Sequence, residues 1–164
     1  MKRVCGIIAY HPSDGDVLNI CAYSQIFDEV IVYLNSPIAA DKRLTFEHDG
    51  ITIIGNGEND GLSIACDEIC KFVKKHGNDG VMLFDQDSRI SEEDVNILYG
   101  HAKELFTHER VGIVCPTIDY GTKKLLQNGE SVCVDWCITS GSLLNLSIYS
   151  NIVSFDKNYF IDRL

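Results

Sequence analysis

Two carboxylates, Asp85 and Asp87, stand one residue apart where the apolar run Val81-Met82-Leu83-Phe84 stops. Acids in the loop at the carboxyl end of a buried strand occupy the edge where open α/β sheets bind their ligands. The two-residue period of an extended chain puts both side chains on the same side. Hard oxygen ligands at that spacing suit Mg2+ or Mn2+, and such an ion bridges to the phosphates of a nucleotide. The competing reading is a solvated turn in a chain that is acidic throughout, and spacing alone does not choose between the two.

The elements that must position these acids alternate between strand and helix. Val4 to Tyr10 is a continuous apolar run of the kind buried on both faces, closed by His11-Pro12-Ser13-Asp14-Gly15. Asp14 or Asp16 is placed to cap a helix carrying Val17, Ile20, Cys21 and Tyr23 on one face. Glu29 to Leu34 reads as a second buried strand ending at Asn35-Ser36-Pro37, and Ile51 to Ile54 as a short third one. A loop with Gly55, Gly57 and Gly61 follows, either a close approach of backbone to ligand or a flexible turn.

From Leu62 to His76 apolar residues recur at three and four, with Asp67 and Glu68 early and Lys74 and Lys75 late, which predicts an amphipathic helix matched to its dipole. The strand Val81 to Phe84 then delivers the acidic pair. Ser91 with Asp94 predicts a capping box for a helix to about Phe106, and Val111 to Cys115 a further buried strand. Beyond Pro116 the rhythm changes. Residues 117 to 135 read as an irregular hairpin around Asn128-Gly129, and Asp135 to Ser142 precede a short apolar stretch. The alternation predicts an α/β fold: three layers, with a mostly parallel sheet and helices on both faces.

Residues 1–164 are expected to form a single domain, with 45% hydrophobic and 23% charged residues and only 3 prolines. A net charge of −10 with no basic stripe argues against nucleic acid as a partner. Seven cysteines, at 5, 21, 66, 70, 115, 133 and 137, are odd in number and scattered through apolar segments, so reduced thiols and a cytoplasmic setting are expected. Cys66/Cys70 and Cys133/Cys137 lack the two-residue knuckle and the matching histidines of a structural zinc site. His11, Pro12 and Asp14 cut the first apolar run too short for a signal peptide, and no run reaches the 18 or so residues of a membrane span.

Six pieces of the chain together resemble the family-2 glycosyltransferases, in their bacterial rhamnosyltransferase-like branch. They are Ala9-Tyr10-His11-Pro12, Asn35-Ser36, Asn59-x-Gly61-x3-Ala65-x-Asp67, Phe84-Asp85-Gln86-Asp87-Ser88, Ile138-Thr139-Ser140-Gly141-Ser142 and Tyr159-Phe160-Ile161-Asp162, in family order. The resemblance implies the A-type glycosyltransferase (nucleotide-diphospho-sugar transferase) fold and an inverting, Mg2+- or Mn2+-dependent transfer. The donor would be a nucleotide-diphospho-sugar, dTDP-rhamnose or a UDP-sugar, and the acceptor a saccharide or lipid-linked molecule in bacterial surface polysaccharide synthesis. It implies that Ala9, Tyr10 and Asn35 flank the nucleobase and ribose, that the segment from Asn59 and Gly61 packs against the base, and that Gln86 lies beside the donor. It further implies that Asp85 faces the ribose or metal-bound water, that Asp87 holds the cation, and that Thr139, Ser140 and Gly141 shape the sugar cleft. Trp136 would be a stacking face for a sugar or a packed core residue, and Asp162 the base.

Leu34 stands where many relatives carry an acid, and Asp67 where they often carry Asn. The family pattern continues past Asp162 through a second acid, so a C-terminally shortened chain is expected, with any peripheral association with the inner membrane face supplied by the missing part. Two other readings stand beside this one: a noncatalytic, degenerate transferase domain acting as a binding module, and a haloacid-dehalogenase-type phosphotransferase, whose Asp-x-Asp normally closes the first strand.

Overall fold

The uninterrupted apolar run at the start becomes β1 (Val4–Ala9), with all six residues buried. The computed structural model describes residues 1–108, 111–117, 130–149 and 155–156. β2 (Glu29–Leu34) and β3 (Thr52–Ile54) lie on one side of β1 and β4 (Gly80–Asp85) on the other, all parallel. β5 (Ile113–Val114) and β6 (Ser142–Asn145) extend the sheet beyond β4 in the order β3-β2-β1-β4-β6-β5, with β6 the antiparallel member.

Strands covered on both faces must be apolar throughout, and two cores show the coverage. On one face α1 (Asp14–Ala22), α2 (Ala40–His48) and α4 (Glu92–Leu105) pack Val17, Ile20, Phe46, Val95 and Leu98 against Cys5, Ile7, Val32 and Met82. On the other α3 (Leu62–Lys75) packs Ala65, Cys66, Ile69 and Val73 against Val4, Ile8, Ile31 and Leu83. A Cβ added at Gly6 would fall 2.4 Å from Cγ2 of Ile69, so the bare backbone of β1 is what lets α3 lie that close. The three-layer, mostly parallel arrangement expected from the sequence is the one observed.

Several local expectations are corrected. The first helix is capped by Ser13, not by Asp14 or Asp16. Ser13 is in the extended conformation a cap needs, its Oγ accepts from the Asp16 amide at 3.2 Å, and Asp16 Oδ2 reaches back to the Ser13 amide at 2.8 Å. Helix α2 has no counterpart among the expected elements, because Phe46 alone anchors its polar nine residues in the core. β5 is two residues long and not buried: among the described residues it is the edge strand, bonded to β6 alone, and Ile113 is 41% exposed. The Asn128-Gly129 turn lies outside the described residues, and residues 130–135 carry no strand. No helix among the described residues is long and apolar enough to cross a membrane.

Candidate functional site

The chain builds outward from β1 to β2 and β3, then crosses to β4 on the opposite side. The carboxyl ends of β1 and β4 therefore bound the crevice at which strand order reverses, the place where open α/β sheets bind ligands. Ile8 pairs with Asp85 across this boundary, so the loops that leave Ala9 and Asp85 emerge side by side.

The two loops are tied together by a relay of polar groups. The Tyr10 amide donates to Gln86 Oε1 at 2.8 Å, and Gln86 Nε2 donates to Asp16 Oδ2 at 3.2 Å. Asn19 Nδ2 donates to the carbonyls of Gln86 and Ser88 at 2.9 and 2.7 Å, and the Tyr23 hydroxyl donates to the same Ser88 carbonyl at 2.8 Å. The inner side of the acidic loop is thus fastened to α1 through its carbonyls. Asp85 and Asp87 in the same loop are both exposed. Hydrogen bonds from the Ser13 side chain and amide, aided by Lys42 and Gln86, hold the Asp16 carboxyl below the usual carboxylate range.

The end of β2 supports the opposite wall. The Asn35 amide donates to Ala9 O at 2.9 Å, and the buried Asn35 side chain accepts from the Asp60 amide at 2.8 Å and donates to Asn59 Oδ1 at 3.3 Å. Asn59 Oδ1 also accepts from the Gly61 amide at 3.2 Å, and Tyr33 donates to Asp60 at 2.6 Å. Gly61, at φ 83°, is in the left-handed region and starts α3 without a side-chain cap. The glycine loop is therefore a shaped turn bound to β2.

The third wall is the turn before β6. Ser140 Oγ accepts from the Asp85 amide at 3.1 Å and lies 2.6 Å from Ser88 Oγ, while the Gly141 amide donates to Leu83 O at 2.7 Å. Thr139 O accepts from the Ser142 amide at 3.1 Å, closing the turn. Trp136 is 68% exposed, which removes core packing as its role.

Sequence reasoning and structure agree on where these segments gather, and differ in what some side chains are free to do. Ala9 is buried in the core with its carbonyl committed to Asn35, and the Asn35 and Gln86 side chains are spent on neighbouring loops, so all three position the site's walls. Tyr10, Asp85, Asp87 and Trp136 present exposed side chains, as does Asn59. Asp162 and the whole Tyr159 to Asp162 segment lie outside the described residues. From sequence Asp16 and Tyr23 were read only as helix residues and Ser88 only as part of the acidic motif, and Asn19 was not singled out. The bonds that join them across the site, Asn19 to Gln86, Tyr23 to Ser88 and Gln86 to Asp16, each span more than 60 residues of chain.

No group of three His, Cys, Asp or Glu side chains that could hold a metal ion occurs among the described residues. Asp85 and Asp87 are exposed carboxylates, the hard-oxygen donor type that would suit Mg2+ or Mn2+ if phosphate oxygens and water supplied the remaining ligands.

The six-stranded, mostly parallel sheet with helices, together with its likeness to solved structures, gives an α/β fold of the A-type glycosyltransferase kind. Among solved structures the chain is similar to Staphylococcus aureus TarS, a family-2 glycosyltransferase. The 1–349 form matches with TM-score 0.64 and 13% identity over 96% of this chain and 51% of that one. A longer TarS structure matches with TM-score 0.67 and 11% identity over 98% of this chain and 31% of that one. The chain thus spans about half of one and a third of the other. At such identity the likeness is one of fold, and it does not single out the rhamnosyltransferase-like branch. No family model matches the sequence, and no curated protein does.

Proposed function

We propose that this domain binds a nucleotide-diphospho-sugar at the carboxyl ends of β1, β2 and β4 and transfers the sugar, with inversion, to a saccharide or lipid-linked acceptor. The donor is dTDP-rhamnose or a UDP-sugar, and the setting is surface polysaccharide synthesis on the cytoplasmic side of a bacterial membrane. One observation carries the reading: three loops bonded to one another converge at the sheet's switch point and leave Asp85 and Asp87 exposed there. An Asp-x-Asp on the fourth strand, next to β1 in space, also separates this chain from phosphotransferases that carry it on the first.

Tyr10 offers an exposed ring for stacking against the base. Asp87 and Asp85 are the ligands for Mg2+ or Mn2+, which would neutralise charge on the diphosphate as it departs. The turn Thr139-Ser140-Gly141 backs the acidic loop and bounds the sugar, with Trp136 on the acceptor side. Asp162 is the carboxylate assigned to take the acceptor's proton.

Thermal-shift titration with UDP, dTDP and their sugars, with and without Mn2+, tests this. A ligand at about 100 times its Kd adds about 2.7 kcal/mol, roughly 5–10 °C for a domain of this size. Asp87→Ala should abolish the metal-dependent part. Absence of a shift with every nucleotide overturns the proposal, and binding without turnover in a transfer assay marks the domain as a binding module.

A further inference from the structure

Six of the seven thiols fall into two physical classes, and the seventh, Cys133, is exposed. Cys5, Cys21, Cys66 and Cys70 are buried in the two cores, where desolvation pushes all four thiols up, Cys21 and Cys66 to about 12. Such groups are inert. Cys115 and Cys137 are half-buried at the sheet edge. Val114 pairs with Leu143, so Cys115, the residue just past β5, is carried to the level of Ser142. Ser142 Oγ lies 3.8 Å from Cys137 Sγ. The sheet pairing and the 139–142 turn therefore place Cys115 and Cys137, 22 positions apart in sequence (137 − 115), both beside Ser142.

We propose that Cys115 and Cys137 form a reversible redox site that closes to an intramolecular disulfide by exchange with a low-molecular-weight disulfide such as oxidised glutathione. Hydrogen bonding with Cys115 brings Cys137 down to about 6, and hydrogen bonding with Cys137 together with burial pushes Cys115 up. Cys137 is accordingly the attacking thiolate. Its sulfur attacks one sulfur of the small disulfide, that S–S bond breaks, and one small thiolate leaves. Cys115 loses its proton to solvent and attacks the Cys137 sulfur of the mixed disulfide, and the second small thiolate departs. Two protein thiols are oxidised, and one small disulfide is reduced to two thiols.

The site lies three residues from Ser140, whose hydroxyl holds the Asp85 amide, so closure clamps the turn that backs the acidic loop. It does not depend on the proposed transfer.

The test uses the intact wild-type chain incubated with oxidised glutathione, followed by mass measurement and peptide mapping without reduction. Expected is the loss of two hydrogen masses, a peptide pair linked Cys115 to Cys137, and reversal by dithiothreitol. Cys115→Ser removes the resolving thiol and should stop at a glutathione adduct on Cys137. Stable separate adducts on both cysteines, a link from either one to Cys133, or unmodified thiols in the wild-type chain would each overturn the proposal. So would an unmodified Cys137 in Cys115→Ser.

Discussion

Ser140→Ala removes the acceptor of the Asp85 amide at 3.1 Å and the 2.6 Å partner of the Ser88 hydroxyl in a single step. A neutral hydrogen bond contributes about 1 kcal/mol net, and two such bonds set an upper bound of about 2 kcal/mol. Ser88 and Ser140 are only half-buried and Asp85 is exposed, so water replaces part of what is lost. The expected destabilisation is therefore about 1–1.5 kcal/mol, which lowers the thermal midpoint by roughly 2–6 °C in a domain of this size. The carbonyls of Gln86 and Ser88 stay held by Asn19 and Tyr23, so the loop keeps its inner attachment and the loosening concentrates at Asp85. Urea unfolding of the wild type, Ser140→Ala and Ser140→Thr measures the stability arm. Mn2+-dependent nucleotide titration of the same three proteins measures the site, with a several-fold weakening expected for Ala and near-complete rescue by the Thr hydroxyl. An unchanged unfolding midpoint in Ser140→Ala, or a Thr variant that behaves as Ala does, would refute this account of how the turn supports the acidic loop.

Gly6→Ala places a Cβ 2.4 Å from Ile69 Cγ2 and 3.2 Å from Leu83 Cδ2, inside a layer where Ile69 is fully buried, so it should cost about 1–3 kcal/mol by urea unfolding. Adding Ile69→Ala should show favourable coupling to Gly6→Ala, and strict additivity would exclude the clash as the cause. The Asp16 carboxyl titrates below its ordinary range in the folded protein, so its stabilising contribution is complete above the unfolded pKa of about 3.9 and is lost as pH falls through the folded value. The stability difference between wild type and Asp16→Asn should be constant near pH 6–7 and shrink below about pH 4. A difference that does not change with acidification would contradict the carboxylate's role.

Elements whose signal is carried by many residues were legible in the sequence. Helix α3 repeats its apolar face over fourteen residues, and β1, β2 and β4 are continuous apolar runs, so each emerged within about one residue of its observed bounds. Helix α2 rests on one anchoring side chain, Phe46, which no periodicity can reveal. The run from Val111 to Cys115 has a core strand's composition but an edge strand's place, and that depends on the partner it finds 30 residues later. In the site, the strand ends were readable as ligand-facing positions because topology puts them there. Which of their side chains are taken up by neighbouring loops was not, since Gln86 is committed to Tyr10 and Asp16, and Asn35 to Asp60, through contacts of long sequence separation.

Among the described residues the antiparallel β6 is the last strand in chain order, slotted between β4 and β5, and the turn before it carries Ser140 and Gly141. Residues 4 to 105 can pair and cover β1 to β4 from neighbouring segments as the chain grows, whereas β6 closes onto β4 across more than 50 residues. The acidic loop is thus made early and braced late. A nascent chain interrupted before residue 140 would carry both aspartates while lacking the hydroxyl that accepts from the Asp85 amide. Site completion in this fold is consequently a marker that the sheet itself has been finished.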